Sequence, residues 1–121
     1  FHSGEPPKDV MAAQAASLAG LGMPDAIGMR IAAPQFNHVF AGDGYSSGYY
    51  SYMWSEVMDE DAFAAFEETG DVFDADMAAK LAEHIYTAGG SKDAADLYKA
   101  FRGSLPKVEA LLKGRGLDGS A

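Results

Sequence analysis

The sequence predicts an all-α protein of about five or six packed helices. Apolar residues recur at intervals of three and four positions, which is the spacing of one helix face, and no stretch shows the two-residue period of a strand. Clusters of glycine and proline separate these apolar segments where helices are expected to end. At 121 residues and 48% hydrophobic composition, the chain is large enough to bury one small core. We therefore expect a single helical body over residues 1–121, with a disordered tail at 118–121.

The first third of the chain contains one clear helix signal. Residues 8–21 are rich in alanine, leucine and methionine, which favour helix, and Pro6-Pro7 precedes them at a position where proline is tolerated. Gly22 is placed to end this helix. Between residues 25 and 40 the signal is mixed, and we expect an irregular segment with a short helix.

The longest helix is predicted over residues 47–68, where apolar residues form a broad stripe and acidic residues cover the opposite side. Asp74 is expected to cap a helix over residues 75–88, because its carboxylate can accept hydrogen bonds from the first-turn N–H groups. Ser91 is expected to cap the next helix, which runs to about residue 101, and a last helix follows residues 104–106. Core positions are expected on the helix over residues 75–88 and on the helix that follows it. They are Met77, Leu81, Ile85, Leu97, Tyr98 and Phe101.

Charge and composition exclude several classes of partner. The formal charge is −9, from 18 acidic and 9 basic residues, and no basic stripe is present, so nucleic acid is a poor partner. The absence of cysteine excludes disulfides, thiolate zinc sites and thiol nucleophiles. No apolar run approaches the ~18 residues of a membrane span and no signal peptide is recognisable, so we expect a cytoplasmic protein without membrane contact. Because the sequence begins with Phe1 rather than methionine, we expect the chain to be processed or cut from a longer one.

The candidate functional stretch is HVFAGDGYSSGYYSYMWSE, residues 38–56. His38 precedes the sequence Gly42-Asp43-Gly44, where glycine permits backbone conformations that other residues avoid, so we expect a sharp bend. A helix that begins near residue 46 or 47 would place three phenol groups on one face at i, i+4 and i+7 spacing. These are Tyr45, Tyr49 and Tyr52. Such a face can surround a polar ligand, although aromatic residues at helical spacing also simply pack in a core.

The motifs of a self-sufficient metalloenzyme are absent. The sequence contains no HExxH, and the three histidines, His2, His38 and His84, are too scattered to form a helical metal pair. No phosphate-binding glycine loop or GxSxG turn is present, and the acidic clusters do not follow the register of a calcium-binding loop. We therefore expect no metal site within this chain.

Residues 36–63, FNHVFAGDGYSSGYYSYMWSEVMDEDAF, resemble the C-terminal part of the thimet oligopeptidase family of zinc metallopeptidases. This family includes oligopeptidase A and the bacterial peptidyl-dipeptidases. The resemblance continues over residues 70–117, through an FRG motif and a GL ending, and is strongest to the peptidyl-dipeptidase branch through HxFxGDGY and YYSYMWSEV. It implies that the chain is the C-terminal fragment of a large, helical, two-lobed peptidase with a deep channel and zinc at its floor.

The resemblance also implies where the metal chemistry lies. In the family, an HExxH helix and a downstream glutamate hold the zinc, and both lie upstream of the region resembled here. The fragment alone is therefore expected neither to bind catalytic zinc nor to cleave peptides. Its partners would be short peptide substrates and the remainder of its own catalytic domain, and the parent enzyme would be an oligopeptidase or would release C-terminal dipeptides.

Residue by residue, the resemblance assigns the substrate-facing wall to this chain. His38 matches the histidine that contacts bound peptide, and Tyr45 matches a tyrosine that lines the substrate channel. Tyr49 and Tyr52 match helix tyrosines near the scissile carbonyl, with Tyr52 preferred as the donor to the oxyanion. The expected catalytic residues are thus Tyr52, Tyr49 and His38.

Two further roles are expected from the resemblance. Gly42, Asp43 and Gly44 would let the loop hinge over substrate, with the two glycines counted among the substrate-binding residues. Release of dipeptides requires a cation for the terminal carboxylate, and the candidates are Arg30 and Arg102.

One alternative from another class stays open. The chain could be an independent acidic helical module that binds a protein partner through its aromatic face. If instead the chain is cut from a larger domain, apolar surface would be exposed where that domain packs, and the chain could self-associate.

Overall fold

The computed structural model describes residues 4–119 and confirms the predicted all-α fold. Within this range there are six α-helices and no β-strand. The helices are α1 (Val10–Gly20), α2 (Asn37–Phe40), α3 (Ser51–Thr69), α4 (Ala75–Leu81), α5 (Ala94–Arg102) and α6 (Glu109–Gly114). The chain divides into two compact units, unit 1 (Phe1–Tyr49) and unit 2 (Tyr50–Ala121). The single body and the disordered tail predicted from the sequence stay predictions, and residues 120–121 of that tail lie outside the described residues.

Unit 1 begins with α1, close to the predicted position. The Asp9 side chain accepts a hydrogen bond from the Ala12 N–H at 2.9 Å, which satisfies one of the free donors at the start of the helix. Gly22 ends the helix with a φ of 72°, and the Met23 N–H then reaches back to the Leu18 carbonyl at 3.0 Å.

The rest of unit 1 is made of short elements. The side-chain oxygen of Gln14 on α1 accepts a hydrogen bond from the Ala33 N–H at 2.7 Å, at the start of a 3₁₀ turn (Ala33–Gln35). That turn leads directly into α2, which confirms the short helix predicted in this segment. No side chain from residue 4 to residue 49 is buried, so local hydrogen bonds and ring contacts hold this unit together.

The longest helix, α3, begins at Ser51, so the predicted start at residue 47 is wrong. Residues 43–50 form a series of turns instead. Glycine is a weak helix former, and a Cβ at Gly48 would lie 3.0 Å from the carbonyl oxygen of Gly44, a closeness that the turn tolerates only without a side chain. From Ser51 the helix runs without interruption to Thr69 and ends at Gly70, whose φ is 83°.

Unit 2 has a core between α3, α4 and α5. Its buried centre consists of Ala65, Tyr98 and Phe101, and partly buried residues from the neighbouring helices surround it. The predicted core positions are confirmed, because three of them are buried and the other three pack against the centre. The buried ones are Leu97, Tyr98 and Phe101, and the packed ones are Met77, Leu81 and Ile85.

One charged side chain, Asp61 on α3, is buried at the edge of this core. The Tyr98 hydroxyl donates to Asp61 Oδ2 at 2.8 Å and approaches the Met58 carbonyl at 3.2 Å. Arg102 Nε lies 3.3 Å from the same carboxylate oxygen, and the guanidinium donates two hydrogen bonds to Glu68, at 2.8 and 2.6 Å. A buried carboxylate is stable only when it is paired in this way. Burial, and then the hydrogen bond to Asp61, raise the pKa of Tyr98 above its ordinary value.

The later helices differ from prediction in two details. Asp74 caps α4 as predicted and accepts from the Met77 N–H at 2.7 Å, but the α-helix ends at Leu81 and continues as a π turn (Ala82–Tyr86). The prediction that Ser91 caps α5 is wrong. Asp93 fills that position and accepts from the Ala95 N–H at 2.9 Å.

Candidate functional site

Four aromatic rings meet in unit 1 and form the candidate site. The His38 and Tyr45 rings are stacked, with centroids 4.4 Å apart and an interplanar angle of 24°. Tyr49 makes a T-shaped contact with each of them, at centroid distances of 5.8 Å from His38 and 6.3 Å from Tyr45. Phe36 completes the group through an edge contact with Tyr49 at 4.8 Å. We call Phe36, His38, Tyr45 and Tyr49 the ring cluster.

The local backbone explains why these rings meet. His38 lies on the single turn of α2, and the chain then passes through turns that bring Tyr45 back over it. The Ser46 hydroxyl donates to the Asp43 carbonyl at 3.1 Å, and the Gly48 N–H donates to the Tyr45 carbonyl at 3.3 Å. Serine hydroxyls that bond nearby backbone in this way favour turns over continued helix.

The glycines of the turn that carries the ring cluster have a different role from the one predicted. Neither Gly42 nor Gly44 has a φ in the left-handed region, and a Cβ at either position would meet open space. The expected bend is present, but the expectation that these two glycines supply a conformation closed to other residues is wrong. Gly48 is the residue that the turn requires, and sequence reasoning missed it. The available signal was a third glycine inside the aromatic run, where a regular helix would disfavour it.

The ring cluster is partly exposed to solvent. His38 is exposed, Tyr49 is 41% exposed and Tyr45 is half-buried. An imidazole and two phenols can donate to and accept from a peptide backbone, while the ring faces offer apolar area to side chains. The cluster therefore combines hydrogen-bonding groups with apolar ring faces on a partly exposed surface.

Comparison with known proteins identifies the family. The profile of Peptidase family M3 matches residues 3–117. The chain belongs to Peptidase family M3. Oligopeptidase A of Escherichia coli (strain K12) is 44% identical over 84 residues, which are 69% of this chain and 12% of that protein. The organellar oligopeptidase A of Arabidopsis thaliana, described as chloroplastic/mitochondrial, is 44% identical over 85 residues, 68% of this chain and 11% of that protein.

A dipeptidyl carboxypeptidase of Escherichia coli (strain K12) is 36% identical over 93 residues, which are 77% of this M3 chain and 13% of that protein. The matched region thus spans about an eighth of the length of these relatives. Relatives of both kinds named in the sequence analysis therefore match this chain, with a higher identity to oligopeptidase A over a shorter span.

Tyr52 belongs to unit 2, whereas His38, Tyr45 and Tyr49 belong to unit 1. It is on the first turn of α3 in unit 2 and is 49% exposed. The prediction that Tyr45, Tyr49 and Tyr52 share one helix face is wrong, because the first two are not helical. The role of Tyr52 near a scissile carbonyl stays a prediction.

Of the two arginines considered for a substrate carboxylate, Arg102 is already engaged. Its guanidinium binds Glu68 through two hydrogen bonds, pairs with Asp61, and is only 18% exposed. The hydrogen bonds to Glu68 are the main reason that the pKa of Arg102 is raised, and they lower the pKa of the exposed Glu68. Arg102 is therefore a structural residue of unit 2, whereas Arg30 is exposed in unit 1.

Among residues 4–119, no three histidine, aspartate or glutamate side chains converge to hold a metal ion. The family resemblance assigns the zinc ligands to residues upstream of the matched region, and the described side chains offer no site that fits the ion. No helix in the described part of the chain has the length and apolar character needed to cross a membrane.

Proposed function

We propose that this M3 chain is the substrate-facing C-terminal part of a zinc-dependent oligopeptidase whose longer polypeptide hydrolyses short peptides. The observation that carries the proposal is the ring cluster, in which His38 stacks on Tyr45 at 4.4 Å within a region matched by the M3 profile. The zinc ligands belong to residues outside this chain, and the chain by itself is inactive.

In this proposal the ring cluster binds the peptide. The His38 imidazole and the Tyr45 phenol hydrogen-bond to backbone groups of an extended substrate, and Tyr49 supplies a further donor at the edge of the stack. The packed rings lose little side-chain freedom on binding, because each is already held by its neighbours.

Tyr52 is the proposed donor to the oxyanion that forms when the peptide carbonyl is attacked. A neutral phenol can donate this hydrogen bond without a charged side chain first being stripped of water. Tyr52 is the second residue of a 19-residue helix, and the positive end of a helix dipole also favours negative charge at this position.

We assign the parent to the oligopeptidase mode rather than to release of C-terminal dipeptides. The higher identity to oligopeptidase A supports this assignment. Arg102 is engaged with Glu68, so it is not the cation that dipeptide release would require for a terminal carboxylate. Arg30 is the remaining candidate for that role in this chain.

The test is Tyr52→Phe in the longer polypeptide encoded by the same reading frame. We expect kcat to fall by roughly 10²–10³, the usual effect of losing one oxyanion donor, with a small change in KM. Tyr50→Phe is the matched control, because this neighbouring tyrosine is 66% exposed and has no assigned role. An unchanged kcat in a folded Tyr52→Phe enzyme would refute the assignment.

A second candidate function is an acidic helical module that binds a protein partner. The observation that favours it is the exposed aromatic and methionine surface at the start of unit 2, where Tyr50, Met53 and Trp54 are 66%, 60% and 58% exposed. The upstream reading frame separates the two candidates. An HExxH helix in frame before Phe1 supports the peptidase, and a start codon immediately before Phe1 supports the module.

A further inference from the structure

In unit 2, α6 ends beside the helix that carries Tyr52. Arg115 directly follows α6, and its guanidinium binds the Glu56 carboxylate on α3. We propose that Arg115 is a positioning residue for Tyr52, because it holds and neutralises a carboxylate that lies one helical turn from the phenol. The inference rests on the proposed function, in which Tyr52 donates to the oxyanion.

The contact between Arg115 and Glu56 has a defined geometry. Arg115 Nη2 lies 2.7 Å from Glu56 Oε1 and 2.5 Å from Oε2, and Nε approaches Oε1 at 3.3 Å. Exposed ion pairs add little stability in general, but contact with both carboxylate oxygens restricts the direction of the two side chains. The hydrogen bonds to Glu56 are also the main reason that the pKa of Arg115 is raised. The pair therefore places a positive charge at one position on α3.

The backbone around Arg115 holds the residue in place. α6 packs along α3, and Leu111 of α6 is buried. Gly116 has a φ of 66°, and the Leu117 N–H reaches back to the Leu112 carbonyl at 2.8 Å, which closes the end of the helix. Arg115 thus extends from the end of a packed helix, in a turn that the following Gly-Leu sequence fixes.

Two carboxylates follow Tyr52 at intervals of four residues along α3. The first is Glu56, whose Cβ lies about 5–6 Å from that of a residue one turn earlier on the same helix face. The second is Glu60, and a Cβ at Gly114 would lie 3.2 Å from its Oε2, so α6 ends against this carboxylate as well. Without a cation, Glu56 would disfavour negative charge beside Tyr52 and oppose the positive end of the helix dipole. Arg115 offsets that charge.

This pairing affects the transition state more than the bound substrate. A peptide carbonyl is neutral when it binds and gains negative charge when it is attacked. A carboxylate left unpaired near Tyr52 would therefore lower kcat and leave KM nearly unchanged. The Glu56 and Arg115 side chains are 40% and 46% exposed, so solvent screens the interaction in part. One such charge corresponds to a change in kcat of roughly three- to tenfold.

Removal and restoration of charge balance in the longer polypeptide test the inference, with an uncharged peptide of blocked ends as substrate. Arg115→Gln should lower kcat roughly three- to tenfold with little change in KM. Arg115→Lys should retain most of the activity, because the positive charge is kept. Arg115→Gln combined with Glu56→Gln should restore kcat, because no unpaired carboxylate is left. An unchanged kcat in Arg115→Gln, or a double variant as slow as the single one, would overturn the inference.

Lys113→Gln is the matched control. Lys113 pairs with Glu67 at 3.2 Å between the same two helices, but Glu67 lies in the last turns of α3, roughly 22 Å from Tyr52 along the helix axis. We expect kcat to be unchanged in this variant. A loss equal to that of Arg115→Gln would show that loosening of α6 is the cause, and would contradict the inference.

Ionisation of the Tyr52 phenol supplies a readout that does not depend on catalysis. In the 121-residue chain, NMR of ring-labelled tyrosine follows each phenol as the pH is raised, and Tyr52→Phe identifies one signal by its loss. Tyr52 should ionise at a higher pH in Arg115→Gln than in the unmodified chain, because a nearby unpaired carboxylate disfavours the phenolate. The double variant with Glu56→Gln should return to the unmodified behaviour. Identical ionisation in all three chains would overturn the inference.

The two readouts separate this inference from the proposed function. If Tyr52→Phe lowers kcat in the longer polypeptide and Arg115→Gln does not, the inference about Arg115 fails and the proposed function stands. If the ionisation of Tyr52 responds as expected but Tyr52→Phe leaves kcat unchanged, the assigned role of Tyr52 as oxyanion donor fails and the electrostatic coupling to Arg115 stands.

Discussion

The two units differ most in where their side chains are buried. Unit 2 has a core centred on Ala65, Tyr98 and Phe101, together with a buried and paired carboxylate, Asp61. Unit 1 has no buried side chain among residues 4–49, yet it contains the ring cluster. The groups suited to bind a ligand therefore lie in the unit with little packing of its own. Binding segments are commonly drawn from the less stable parts of a protein, which agrees with the role proposed for the ring cluster.

The largest effect that tests this comparison is expected from the core. Phe101→Ala removes a ring that is 4% exposed and should lower the free energy of unfolding by about 3–5 kcal/mol. Phe36→Ala, at a half-buried ring in unit 1, should cost about 1 kcal/mol, because less apolar area is lost from contact. Urea denaturation of the two variants measures both values. Equal costs would show that unit 1 is packed as firmly as unit 2.

A smaller effect is expected at the buried polar contact. Tyr98→Phe removes the hydrogen bond to Asp61 and should lower the free energy of unfolding by about 1.5–3 kcal/mol, the range for a hydrogen bond to a charged group. Tyr86→Phe is the matched control, since that tyrosine is 73% exposed. A loss no greater than that of the control would mean that Asp61 is adequately paired by Arg102 alone.

The same tyrosine predicts how stability depends on alkaline pH. Because the folded state raises the pKa of Tyr98 above the ordinary value of 10.0, the folded chain retains this proton where the unfolded chain loses it. The corresponding stabilisation is complete below pH 10.0 and is lost as the pH rises above that value. Tyr98→Phe should therefore show a weaker loss of stability in this range than the unmodified chain. Parallel profiles would contradict the assignment.

The smallest effect is expected in the turn that builds the ring cluster. Gly48→Ala forces the Gly44 carbonyl to move and should cost about 1 kcal/mol, the lower end for an added methyl group. Gly42→Ala, where the new methyl group meets open space, should be nearly neutral. The ring-current shifts of the His38 protons, measured by NMR, should change in the Gly48 variant and persist in the Gly42 variant. Unchanged shifts in both would show that Gly48 does not shape the cluster.

Sequence reasoning was most successful where the determining interactions are local. The helical class, the Asp74 cap and the core positions of α4 and α5 follow from spacing and from side chains that act within one turn. The predicted start of α3 was wrong because the helical spacing of aromatic residues continues upstream of Ser51. The close approach of Gly48 to the Gly44 carbonyl, which requires a turn there, is visible only in the folded chain.

Three of the predicted site residues meet as rings, and their role in binding stays a prediction. His38, Tyr45 and Tyr49 do meet, through turns rather than along a helix. The engagement of Arg102 with Glu68 joins residues 34 positions apart on different helices, and no local pattern indicates such a pair. The role of Tyr52 beside these rings stays a prediction.

The central claim is that this chain supplies the substrate-facing part of a peptidase whose metal is held elsewhere in the polypeptide. The most direct measurement compares the 121-residue chain with the polypeptide encoded by its whole reading frame, for zinc content and for hydrolysis of short peptides. The account predicts stoichiometric zinc and hydrolysis for the longer polypeptide and neither for the chain alone. Stoichiometric zinc or hydrolysis by the chain alone would contradict it.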